Sequence, residues 1–153
     1  MYTASNAALK AYSSVGVETG VMTANPHELV LMLFEGARLA ITEAKLHMLR
    51  NETAAKGEAI SKAIMIIDHG LKASLDVRAG GEIAEKLSAL YEYMTSRLLV
   101  ANLKNEPKAL EEVGRLLAEL HGAWETIGNS KISKATAPPG RRQPGGIVDR
   151  EKA

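Results

Sequence analysis

Four blocks of apolar residues at three- and four-residue spacing, joined by connections of two to four residues, leave this chain few ways to fold. The first block opens at Asn25-Pro26-His27-Glu28, which offers a capping side chain, a proline for the first helical position and a glutamate three residues on. It predicts a helix over about 26–50, with Leu29, Leu33, Ala37, Ala40, Ala44 and Met48 on one stripe. The second helix, entered through Asn51, spans about 52–78, with Ile60, Ile64, Ile67, Leu71 and Leu75. Gly80-Gly81 reads as a helix stop followed by a start. The third helix then runs from Glu82 to about Lys104 and carries Ile83, Leu87, Leu90, Met94, Leu98 and Ala101. Asn105-Glu106-Pro107 reads as a second Asn/Pro helix start. The fourth helix ends near Ile127 at Gly128-Asn129, with Leu110, Val113, Leu117, Leu120, Trp124 and Ile127 as its stripe. Short connections force neighbouring helices to run antiparallel. The predicted fold is all-α, an antiparallel up-down-up-down four-helix bundle over residues 25–128. A short N-terminal arm or helix over 1–24 precedes it, and a disordered C-terminal tail over 129–153 follows.

The arm is rich in Ala, Ser and Thr, is interrupted by Gly16 and Gly20, and carries scattered apolar groups such as Leu9 and Tyr12. The tail holds Pro138-Pro139-Gly140 and Pro144-Gly145-Gly146 among charges and buries too little to order itself. Charge divides the chain at the same place. Residues 1–128 hold 13 Lys and Arg against 16 Asp and Glu, while 129–153 hold six against two. A mildly acidic body is a poor nucleic-acid surface. The 153 residues suit one domain, and the absence of cysteine excludes disulfides and thiolate chemistry. The longest unbroken apolar run, Leu29–Phe34, is far short of the ~20 residues that span a bilayer. Met1 leads into no basic or apolar leader, so the expectation is a cytoplasmic protein not embedded in a membrane.

Catalytic and metal chemistry lack the residues they need. A dinuclear site in a helical bundle uses Glu-x-x-His pairs, but Glu43 and His47 are four apart, and no glutamate stands three before His27, His69 or His121. Lys56-Gly57 and Gly80-Gly81-Glu82 do not make a phosphate loop, and Ser13-Ser14 has no base nearby. The expectation is a protein with no enzymatic activity, no metal and no cofactor.

What the helices hold in excess is apolar surface. With Leu29 at 0°, Met32, Leu39 and Leu46 fall at roughly 260–300° on the first helix, and Val30, Phe34 and Ile41 at roughly 100–140° on its other flank. The apolar arc is about 240° wide where one core stripe needs a little over 100°. On the third helix Tyr93 and Val100 lie beside the stripe, with Leu99 and Leu103 beyond it; the second adds Met65 and Ile66. Such residues either pack on neighbouring helices or form a groove for an amphipathic helix or a dimer interface. The candidate partner-binding residues are Met32, Leu39, Leu46, Ile66, Tyr93 and Val100, with Leu9 and Tyr12 from the arm.

Longer runs make the chain specific. Val21-Met22-Thr23-Ala24-Asn25-Pro26-His27-Glu28-Leu29, Met32-Leu33-Phe34-Glu35-Gly36-Ala37, Lys56-Gly57-Glu58-Ala59-Ile60, Gly80-Gly81-Glu82-Ile83-Ala84, Leu90-Tyr91-Glu92-Tyr93-Met94 and Arg97-Leu98-Leu99-Val100-Ala101-Asn102 occur in order. With Ala11-Tyr12 before them and Ala123-Trp124 after, they resemble the FliS family of flagellar export chaperones. The resemblance implies a cytoplasmic helical chaperone that binds the C-terminal segment of flagellin in apolar grooves. It implies that this prevents premature polymerisation and aids delivery to components of the type III export gate. The arm is then either a competitor of the client or part of the grip. The alternative is a structural bundle whose second stripes serve homo-oligomerisation.

Overall fold

The computed structural model describes residues 25–136, and the described residues form four helices and no strand. The expected capping box opens the first. The Glu28 N–H donates to Asn25 Oδ1 at 2.8 Å, and the Asn25 N–H donates to Glu28 Oε1 at 3.1 Å. With Pro26 in its first turn, α1 runs over Pro26–Leu49. It ends at Asn51, whose φ of 59° reverses the chain in the left-handed region that asparagine tolerates. Helix α2 follows over Thr53–Met65 and passes without a break into a π-helix over Ile66–Lys72. Helix α3 spans Val77–Lys104, and α4 spans Pro107–Thr136.

Two boundaries differ from the reading of the sequence. The second helix does not reach Arg78. Ser74 Oγ donates to the Gly70 carbonyl at 2.6 Å, and Asp76 then caps a new helix through the Ala79 N–H at 3.1 Å. A helical turn therefore precedes Gly80-Gly81, and Gly81 at φ 54°, ψ −128° interrupts the helix there, so the glycine pair does mark a helix stop and a start. Gly80 has no room for a side chain, since an added Cβ would stand 2.7 Å from Ala84 Cβ. As expected, the third helix ends at Lys104 and the fourth starts at Pro107, with Asn105 in the left-handed region at φ 52° between them. Gly128-Asn129 does not stop α4, which continues to Thr136. The rest of the tail and the arm, with Leu9 and Tyr12, lie outside the described residues.

Residues up to His121 form one compact unit, and Gly122 onward belongs to a second. Within the first, cross-helix pairs give the antiparallel order. Lys45 meets Glu111 at 2.7 Å while Arg38 Nη1 donates to His121 Nδ1 at 2.9 Å, so α1 and α4 run in opposite directions. Lys56 reaches Asn102 and Lys72 reaches Glu92, so the helix through 53–72 and α3 do the same. The core is Leu33, Phe34, Ala37, Ala40, Ala44, Ile60, Ile66, Ile67, Leu71, Met94, Leu98, Leu110, Val113 and Leu117. Alanines keep the inner face of α1 thin and let its neighbours approach. Not every expected stripe residue is in the core: Leu29, Ile64, Leu75, Leu87, Leu90 and Leu120 are half-buried, and Ile83 is 71% exposed beyond Gly81. In the second unit, described by itself, Ile127 is exposed and Trp124 half-buried.

Leu117 is fully enclosed, so Leu117→Ala should cost roughly 2–5 kcal/mol in urea unfolding through the cavity it leaves. A loss well under that range would mean that the site collapses around the smaller side chain.

Candidate interaction surface

The flank residues of α1 divide by neighbour. Phe34 and Ile41 are buried against α4: Phe34 stacks on His121 with ring centres 5.7 Å apart, and Ile41 lies beside Gly114, 3.7 Å from where its Cβ would be. Leu39 and Leu46 turn away, about 100° round the helix from Arg38 and Lys45, which face α4. They are 56% and 43% exposed, and Leu49 continues their line one turn on. Met32, at the head of the same stripe, is half-buried.

On α3, Tyr93 keeps 43% of its surface, while its hydroxyl donates to Glu112 Oε2 on α4. Arg97 Nε donates to the other oxygen of the same carboxylate at 2.8 Å. These bonds hold Glu112 below the usual carboxylate range, the tyrosine hydroxyl first and the guanidinium second. The same contact with Glu112 raises Tyr93. Tyr91, two residues earlier on the inner side of the helix, is pushed up to about 12 by burial alone. Val100, one heptad beyond Tyr93, is half-buried. The α1 stripe and the Tyr93–Val100 pair thus sit on different flanks and do not form one patch.

Ile66 must be withdrawn from the surface. It is fully buried, on the inner face that Ala59, Ile60 and Ala63 carry in α2. In its place the structure exposes Leu99 at 59% and Leu103 at 81%, on the flank of α3 that carries Asn102. Asn102 lines an open groove of about 600 Å³ between α2 and α3, with Ala54, Gly57, Ser61 and Met65 on the facing wall and Glu58 and Lys62 at its rim. Leu99 and Leu103 were legible on the wheel as surplus apolar residues but do not line this groove; the place of Gly57 and Ser61 in it was not legible, since neither carries a large apolar side chain.

Nothing in this arrangement is built for bond chemistry. Among the described residues no three His, Asp or Glu gather as a metal site, and no helix is long and apolar enough to cross a membrane. What the surface can do is bury apolar side chains of another segment.

Sequence comparison places these features in company. A family model described as "Flagellar protein FliS" matches residues 8–131. The "Flagellar secretion chaperone FliS" of Salmonella typhimurium is 55% identical over 127 residues, covering 83% of this chain and 93% of its own. That of Escherichia coli is 46% identical, covering 76% and 85%. That of Bacillus subtilis is 32% identical, covering 71% and 79%.

The depressed Glu112 carboxyl gives a pH test. Its contribution to stability is full above the unfolded carboxyl's 4.5 and is lost as pH falls through the lower folded value. Tyr93→Phe should therefore be less stable than wild type in urea at neutral pH, and the gap should close toward about pH 3. A gap unchanged by acid would assign the effect to packing of the ring instead.

Proposed function

The chain belongs to the FliS family of flagellar secretion chaperones, and from that premise we propose that its client is the C-terminal segment of flagellin. It is a chaperone and not an enzyme, so its work is to cover a surface rather than to change a bond. The observation that carries the client reading is the pair of apolar flanks left open on α1 and α3. Leu39, Leu46, Leu99 and Leu103 are all more than two-fifths exposed on helices whose inner stripes already fill the core. An isolated segment with one apolar face buries it against such flanks and gains helix as it does so.

Covered in this way, the segment is withheld from polymerisation in the cytoplasm and travels with the chaperone to the export gate. Met32, Tyr93 and Val100 border the same flanks and are proposed to take part, as are Leu9 and Tyr12 of the arm. Grip by apolar burial rather than by charge agrees with the near balance of Lys, Arg, Asp and Glu in residues 1–128.

Titration calorimetry with the purified C-terminal segment of flagellin tests the reading. Leu39→Asp should leave the thermal melt unchanged and weaken binding at least tenfold, about 1.4 kcal/mol. Normal binding by that variant would move the contact off α1. Deleting residues 1–20 separates the two roles of the arm: tighter binding means it competes with the client, weaker binding that it helps to hold it. A stable oligomer in light scattering that ignores the segment would favour homo-oligomerisation as the use of these flanks.

A further inference from the structure

The outer face of α3 changes character along its length. With Leu99 at 0° on the wheel, Glu85, Glu92 and Leu103 fall within about 40° of it, and all four are exposed. The buried Tyr91, Met94, Leu98 and Ala101 lie roughly 140° away, so this stripe has no part in the core. From the start of the helix to its end the stripe is acidic at Glu85 and Glu92 and apolar at Leu99 and Leu103, and the basic Lys104 follows. Glu92 pairs with Lys72 at 2.9 Å but keeps 62% of its side chain exposed, so its carboxylate has room for a second donor.

Residues 137–153 carry the complementary order. Arg141 and Arg142 come first, Ile147 and Val148 next, and Asp149 directly after them. These residues follow the part of the chain that the family model matches, which ends at residue 131. The spacing agrees as well as the order. Pro138, Pro139 and Pro144 favour extended backbone, in which the distance from Arg142 to Ile147 is about 17 Å. On α3 the helical rise from Glu92 to Leu103 is also about 17 Å. Fully extended, the segment spans about 55 Å, against roughly 42 Å for the whole of α3, so it is long enough to follow the stripe.

We propose that residues 137–153 are an internal occupant of this face and lie along it parallel to α3. Arg141 and Arg142 meet Glu85 and Glu92, Ile147 and Val148 cover Leu99 and Leu103, and Asp149 turns toward Lys104. Exposed ion pairs of this kind set register more than strength, and the apolar pair supplies most of the hold. The contact is autoinhibitory. It covers the exposed leucines of the unloaded chaperone, and a client that buries itself on them must first displace it, which lowers client affinity in proportion to the time the face is covered. The docking stands on α3 and the sequence of the segment; its competition with a client rests on the flagellin reading.

The chain contains no cysteine, so two introduced thiols are the only ones present. In the full-length protein, Leu103→Cys with Val148→Cys should form an intramolecular disulfide in oxidised glutathione about tenfold faster than Leu39→Cys with Val148→Cys, whose first site lies on the exposed flank of α1. Adding Arg141→Glu and Arg142→Glu should abolish that advantage. Deleting residues 137–153 should leave the thermal melt unchanged. It should also tighten binding of the purified C-terminal segment of flagellin about tenfold in titration calorimetry, the gain for a face otherwise open about a tenth of the time. Equal rates for the two cysteine pairs would overturn the docking, as would a disulfide that joins two molecules instead of closing within one. An advantage that survives the arginine changes would overturn the proposed register. Fast cross-linking with unchanged client affinity after the deletion would overturn the competition. The cross-linking uses no flagellin, so failure of the flagellin reading leaves its result standing.

Discussion

One buried ammonium ties the two ends of this fold together. Lys56 sits in the first turn of α2 with almost no exposure, and no carboxylate accompanies it. A bare charge in that position would be costly. It is tolerated because the Asn102 carbonyl belongs to the last turn of α3, where main-chain oxygens lack helical partners and the helix dipole is negative. Asn105 adds its side-chain oxygen, and it is the left-handed residue on which the chain turns into α4. The start of α2, the end of α3 and the α3–α4 turn are thus one cluster. The width of the groove beside it follows from that cluster.

The protein is irregular where the second helix gives way to the third. Between Ile66 and Gly81 lie a π-helix, a break capped by Asp76 and a bend at Gly81. The buried face of α2, carried by Ala59, Ile60 and Ala63, continues through the π-helix at ordinary three- and four-residue spacing. Ile66 and Ile67, adjacent in sequence, are both fully buried, and Gly70 and Leu71 repeat the pair. This segment places Ile66, Ile67, Gly70 and Leu71 in the core and Asp68, His69 and Lys72 at the surface, while α1 and α3 carry the exposed leucines.

A chaperone of this kind has to expose apolar side chains without losing its own fold. The division of α1 shows how. On one flank α4 covers Ile41 beside Gly114, and His121 stacks on Phe34 a little further along. The opposite flank meets no such partner, and Leu39 and Leu46 stay open to solvent. The core does not depend on them, so they are available to a client.

Much of this was written in local chemistry. The Asn25-Pro26-His27-Glu28 cap, the core leucines of α3 and α4 and the antiparallel order follow from side-chain type, helical period and short connections, all of which act within a few residues. The family is legible too, in runs such as Arg97-Leu98-Leu99-Val100-Ala101-Asn102. Which apolar flank is covered and which is left open is a different matter, because it depends on the neighbour each flank meets across space. Phe34 and Leu39 look alike as flank residues in sequence, and only the approach of α4 separates them. Ile66 was misplaced because it stands at the edge of its stripe, and only the packing of neighbouring helices decides how wide a stripe is buried. The role of Lys56 lay beyond reach for the same reason: a lone cation acquires meaning only when the end of α3 is set beside it.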